Sequence, residues 1–172
     1  MIKFHFPHQW HTRSSKLLTF LTLLVAFFLM ACSSIDCPMN NTTGCKYALR
    51  GNGGTFSDTL SVITLRPDSN DAVILNRLTQ VTTFSLPMSY GHNQDTLLFV
   101  LTDTLGKTSI DTTIVSKTNT PHFESVDCPA RFFHTIKEIN TTHHRIDSIV
   151  IANPNVDNEE KENLLIYFHP AR

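Results

Sequence analysis

Hydrophobic and polar positions follow two different patterns along this chain. From Leu17 to Ala31, fifteen consecutive residues carry no charge and are rich in Leu and Phe. Further along, no stretch sustains a helical apolar period beyond two turns. Short apolar runs recur between turn signals every ten to fifteen residues instead, as in an all-β domain. Strands are predicted near 45–50, 58–66, 72–77, 80–86, 95–102, 108–116, 132–138, 145–151 and 163–168. The Gly51-Asn52-Gly53-Gly54 cluster separates the first two as a hairpin turn. Pro67 to Asp71 makes the next turn and Asp103 to Gly106 another. Ile110, Thr112 and Ile114 alternate with Asp111 and Thr113, as in a half-exposed strand. Leu97 to Leu101 is apolar throughout, so that strand is expected to be covered on both faces. Pro154 to Glu162 reads as a short helix or a polar excursion. Seven to nine strands predict an immunoglobulin-like antiparallel β-sandwich, with an up-and-down barrel as the alternative.

The apolar run near the start is preceded by Lys3, Arg13 and Lys16, the only charged side chains before residue 36. A basic flank, an apolar stretch and a small residue at its end describe a secretory signal peptide. Fifteen helical residues reach about 22 Å, short of the roughly 30 Å hydrocarbon core, so a permanent span is the weaker reading. The stretch ends in Leu29-Met30-Ala31-Cys32, which resembles the bacterial lipobox. Cleavage there leaves Cys32 as an acylated first residue. The expected organisation is a lipoprotein signal peptide over 1–31 and one domain over 32–172.

Composition sharpens this division. The chain of 172 residues is 41% hydrophobic and 17% charged, with a formal charge of −1. Removing Lys3, Arg13 and Lys16 from the 14 basic residues leaves 11 against 15 acids, so residues 32–172 carry −4. That excludes a basic nucleic-acid binder and a highly charged disordered chain. An exported chain meets an oxidising compartment, so Cys37, Cys45 and Cys128 are disulfide candidates. Ile35-Asp36-Cys37-Pro38 and Val126-Asp127-Cys128-Pro129 are near-identical surroundings and predict a Cys37–Cys128 pair. A Cys37–Cys45 bridge that leaves Cys128 free is the alternative.

Candidate chemistry is sparse. Five places repeat an acid, a hydroxyl residue and an apolar residue or Thr: they begin at Asp58, Asp95, Asp103, Asp111 and Asp147. Strand entry accounts for them, since Asp ends a turn and a β-former begins the strand. They also look like the O-glycosylation sequon of Bacteroidota envelope proteins, which makes Thr59, Thr96, Thr104, Thr112 and Ser148 candidate sites. Asp68-Ser69-Asn70-Asp71 opens like a calcium loop without its later Gly and Glu, and residues 155–160 are similarly oxygen-rich. Both are read as solvated turns, with calcium the minor alternative and no other cofactor implied. The six histidines after residue 32 lack metal spacing and are read as surface residues. No nucleophile elbow, phosphate loop or triad order is present, so no catalytic residue is assigned. Glu124 and Asp127 form the one acid pair that an alternative, a metal-dependent or hydrolytic envelope enzyme, would use.

Two stretches carry a family likeness: Thr83-Phe84-Ser85-Leu86-Pro87-Met88-Ser89-Tyr90, and Pro121-His122-Phe123-Glu124-Ser125-Val126-Asp127-Cys128 with Phe132-Phe133-His134-Thr135-Ile136. Together with Asp36-Cys37-Pro38 and the 146–151 strand, they resemble an uncharacterised family of Bacteroidota lipoproteins. Some of its members are labelled calcium-binding. The resemblance implies a cell-envelope compartment, lipidation and the Cys37–Cys128 pairing, and it brings no active site; the expected location is the outer membrane, facing the periplasm. The expectation is a non-catalytic binding or accessory module, attached to the membrane through its lipid, with an envelope protein or glycan as partner and no nucleic acid.

Overall fold

Alternating apolar and hydroxyl-bearing residues draw most of this chain into strands, because β-branched side chains pack well on a pleated, half-buried surface. The computed structural model describes residues 19–24, 37, 42–51 and 57–169. The chain forms two compact units, Met1–Asp36 and Cys37–Arg172. In the first, residues 19–24 are helical, within the apolar run. Among the described residues no helix is long and apolar enough to cross a membrane. The expected cleavage point and lipid site at Cys32 lie outside the described residues.

The second unit is built from ten strands. These are β1 (Gly44–Arg50), β2 (Thr59–Leu65), β3 (Ala72–Leu78), β4 (Thr83–Pro87) and β5 (Gln94–Thr102), followed by β6 (Thr108–His122), β7 (Arg131–Thr141), β8 (Ile146–Ile151), β9 (Asn155–Val156) and β10 (Leu164–Phe168). They form a four-stranded sheet, order β4-β1-β10-β8, and a six-stranded sheet, order β3-β2-β5-β6-β7-β9. The two sheets share one hydrophobic core. Tyr47, Leu86, Leu164 and Ile166 enter it from the smaller sheet; Leu60, Val62, Phe99, Leu101 and Val115 enter from the larger one. The Tyr47 ring stacks on Phe84 at 5.1 Å and tilts against Phe99 at 6.1 Å. Each such fully buried side chain contributes about 1.5–3 kcal/mol relative to exposure. The molecule is therefore an all-β sandwich.

Four details differ from the sequence expectation. β1 and β2 belong to different sheets and so do not form the expected hairpin, and residues 52–54 of its turn lie outside the described residues. Both edges of β1 are taken, by antiparallel β4 and by β10. The β1–β10 pair is parallel, which brings the first and last strands side by side. Residues 155–156 pair with β7 as a short edge strand, where a helix or excursion was expected. In β5 Leu97, Phe99 and Leu101 are buried, whereas Leu98 and Val100 are only half-buried on the outer face.

The predicted turns at 67–71 and 103–106 are both present, closing the β2–β3 and β5–β6 hairpins. In the second, Asp103 Oδ1 accepts from the Leu105 and Lys107 amides at 2.9 Å each. Gly106 takes φ 84°, a conformation that costs other residues strain.

Strand β6 holds the least expected feature. Its alternation is as predicted, but its polar set faces the core: Asp111 is 0% exposed while Ile110 is 48% exposed. Hydropathy alone favours the reverse. Hydrogen bonds from the β7–β8 turn reverse it.

Candidate functional site

Strands β5 and β6 run antiparallel through the larger sheet and place polar groups inside both ends of the sandwich. At one end, β5 begins with Asp95 and β6 carries Lys117 and Asn119 on its inward face. The Lys117 ammonium lies 3.1 Å from Asp95 Oδ2 and donates to the His92 carbonyl at 2.7 Å. Burial pulls Lys117 below its usual range, against the attraction of Asp95. Next to it, His134 on β7 is 2% exposed, with Nδ1 2.8 Å from Asn119 Oδ1. The Asn119 amide nitrogen donates to the Tyr90 and His92 carbonyls at 3.1 and 2.9 Å. Its oxygen therefore accepts from His134 Nδ1–H, and Nε2 is left as a buried acceptor without a partner. Burial first, then the charge of Lys117, lower the His134 pKa to about 4, with Asp95 opposing. The imidazole is thus neutral at pH 7.

A cavity of about 240 Å³ opens above this cluster, with Tyr47, Leu86, Met88 and Leu97 against Asp95, and Arg66 and His92 among its polar lining. Cys45 and Tyr47 lie side by side in the core and share a hydrogen bond. Burial pushes the Cys45 thiol up to about 12, so it behaves as an inert core side chain.

The other end is organised by Asp111. Its carboxylate accepts from the backbone amides of His144, Arg145 and Ile146 at 2.7, 2.8 and 2.9 Å, and from the Thr142 hydroxyl at 2.9 Å. Burial works to raise its pKa, but these four donors outweigh it and hold the carboxyl below its ordinary value. Arg145 pairs with the buried Asp58 carboxylate. An open groove of about 710 Å³ lies here, lined by Lys107, Ser109, His143, His144, Arg145 and His169 among others.

The sequence candidates fall as follows. Cys37 and Cys128 are disulfide-bonded, with Cα atoms 5.4 Å apart, and Cys45 is free and buried. Five of the six histidines are exposed, as expected; His134 is the exception, because it faces inward beside Ile136 on β7. Glu124 sits 3.8 Å from Arg131 and accepts from the Asn158 amide at 3.5 Å. Asp127 is exposed, and neither acid lines the cavities described above. The Asp68–Asp71 turn spends Asp71 Oδ1 on the Arg66 amide, at 3.1 Å. Asp157 Oδ1 likewise accepts from the Glu159 amide at 2.8 Å. Among the described residues no group of three His, Cys, Asp or Glu is placed to hold a metal ion.

The five acid–hydroxyl repeats separate clearly. Asp58, Asp95 and Asp111 are interior ion-pair or hydrogen-bond partners. Thr59, Thr96, Thr112 and Ser148 are half-buried within strands, and Thr104 is exposed in the β5–β6 turn.

Sequence reasoning missed the outer face of the larger sheet. Ser61, Ile63 and Leu65 on β2, Thr96, Leu98, Val100 and Thr102 on β5, and Thr108, Ile110, Thr112, Ile114 and Ser116 on β6 all alternate with inward positions. None of them is charged. Cross-strand neighbours such as Ile63–Leu98 and Val100–Ile110 join the apolar members into one patch, which Val73 of β3, opposite Ile63, extends. The unbroken apolar run Leu97 to Leu101 was its signal in the sequence.

An all-β sandwich with polar ends and an uncharged sheet face is the class of molecule defined here. The chain belongs to a family of unknown function, DUF6452, whose model matches residues 59–168, from β2 to β10. No curated protein and no solved structure matches it.

Proposed function

We propose that this protein is a lipid-anchored, non-catalytic binding module of the bacterial cell envelope. In this reading it is held by acylated Cys32 in the outer membrane, facing the periplasm, and takes up an envelope protein or glycan. The anchor rests on the Leu29-Met30-Ala31-Cys32 motif behind a basic, apolar leader. Acylation at both the sulfur and the amine of Cys32 gives stable attachment, where a single chain binds only marginally. The resemblance to Bacteroidota lipoproteins supports the same compartment.

One observation carries the binding role: twelve uncharged positions across β2, β5 and β6, six of them apolar and six Ser or Thr, form an outer face that is at least partly open to solvent, Ile110 being 48% exposed. Contiguous apolar surface on a soluble domain marks an interaction site. The reading requires no cofactor. Thr104, exposed in its turn, is the candidate for an O-linked glycan, and an intact mass equal to peptide plus lipid contradicts that assignment.

The test is the size of the native complex after mild detergent extraction of membranes. The unmodified protein is expected to elute with its partner, and Val100→Lys to elute alone with an unchanged melting temperature. Equal elution of the two proteins contradicts the binding face.

A further inference from the structure

The loop that closes the β6–β7 hairpin carries two exposed apolar side chains. The two strands pair as far as His122–Arg131, which leaves residues 123–130 as the tip. Phe123 is 64% and Val126 98% exposed. Below them the hairpin is braced on both faces: Phe132 stacks on Tyr90 at 4.9 Å and Phe133 on His122 at 4.4 Å. The Thr43 hydroxyl adds a 2.6 Å hydrogen bond to the Phe132 carbonyl. Phe123 and Val126 are therefore presented from a held hairpin end.

The same tip carries Cys128, bonded to Cys37. Only four residues separate Cys37 from Cys32, and the five extended steps between them span at most about 17 Å. The covalent path from lipid to tip is thus short in any conformation of that linker. By contrast Leu105, 92% exposed, lies in the β5–β6 turn, where β5 and β6 end away from the tip.

We propose that the 123–130 tip is a membrane-contact element, with Phe123 and Val126 seated among the lipid headgroups that hold the acyl chains of Cys32. This rests on the lipid-anchor reading above. The tip chemistry suits an interface, since exposed apolar and aromatic side chains such as Phe bury at the boundary of headgroups and acyl chains. Glu124 meets Arg131 and the Asn158 amide, so one of the two tip acids is compensated. Asp127 stays on the water side. The disulfide turns a lipid tether into an orienting device, which points the β5–β6 turn away from the bilayer.

The chain has one tryptophan, Trp10, in the leader, so the processed protein has none. Three variants, Phe123→Trp, Val126→Trp and Leu105→Trp, each supply a single fluorescent reporter in the processed, lipidated protein. After reconstitution in phosphatidylcholine–phosphatidylethanolamine vesicles, the first two are expected to blue-shift and to be quenched by brominated lipid. Leu105→Trp should keep its emission in water. Vesicle-bound protein whose Phe123→Trp and Val126→Trp reporters stay water-exposed overturns the proposal alone. Membrane-extracted protein with no acyl mass on Cys32, and no flotation with vesicles, overturns the anchor and the proposal together.

Discussion

The two ends of the sandwich each bury a carboxylate, and they satisfy it in opposite ways. Asp95 is held mainly by another side chain, Lys117, 3.1 Å away, with the Ser89 amide as its one backbone donor at 3.3 Å. Asp111 faces the backbone, accepting from three consecutive amides of the β7–β8 turn and one hydroxyl. A side-chain partner can be exchanged together with its mate. Backbone amides cannot be mutated away, so the turn depends on the one residue that collects them. The contrast separates a replaceable ion pair from an irreplaceable organiser, although both read as Asp-Thr in the sequence.

The largest effect expected is at Asp111. Asp111→Ala leaves four donors without their acceptor and is expected to cost about 3–5 kcal/mol, read from urea unfolding. A loss below about 1 kcal/mol would remove its organising role. Asp95→Ala strands the Lys117 ammonium in the core and is expected to cost about 3 kcal/mol alone. Adding Lys117→Met should return stability to within about 1 kcal/mol of the starting protein. No second substitution should do the same for Asp111→Ala.

The two ends also separate on the pH axis. His134 ordinarily titrates at 6.5 but in its buried site at about 4, so between those values the unfolded chain binds the additional proton. Its contribution is complete above pH 6.5 and is lost as pH falls toward 4, by up to roughly 1.4 kcal/mol per pH unit. Asp111, lowered from 3.8, loses its contribution only below that value. Unfolding midpoints measured against pH should therefore fall first through the histidine window, and His134→Gln should flatten that window alone. The smallest effect is at the β5–β6 turn, where Gly106→Val should cost about 1 kcal/mol through its positive φ.

Much of the fold was legible because strands announce themselves by period and turns by composition. Asp103 to Gly106 and Pro67 to Asp71 fell where their residues place them. The Cys37–Cys128 bond followed from two copies of Asp-Cys-Pro. What the sequence concealed depends on distant partners. Asp111 goes inward because amides more than thirty residues later meet it there. His134 looks like any polar residue in a strand until Asn119 and Lys117 are beside it. The Gly51–Gly54 cluster marks a turn but says nothing about which sheet receives the next strand. The outer face was half visible: Leu97 to Leu101 predicts cover on both sides, and the molecule supplies cover on one.

That missing cover is the centre of the functional reading, and in-cell photo-crosslinking tests it most directly. A benzophenone amino acid placed at Ile110, on the uncharged face, is expected to give a discrete cross-linked species that disappears with Val100→Lys. The same reagent at Leu105, more exposed at 92% against 48% but off the face, should give none. No adduct from Ile110, or the same adducts from both positions, would contradict a binding surface on this sheet.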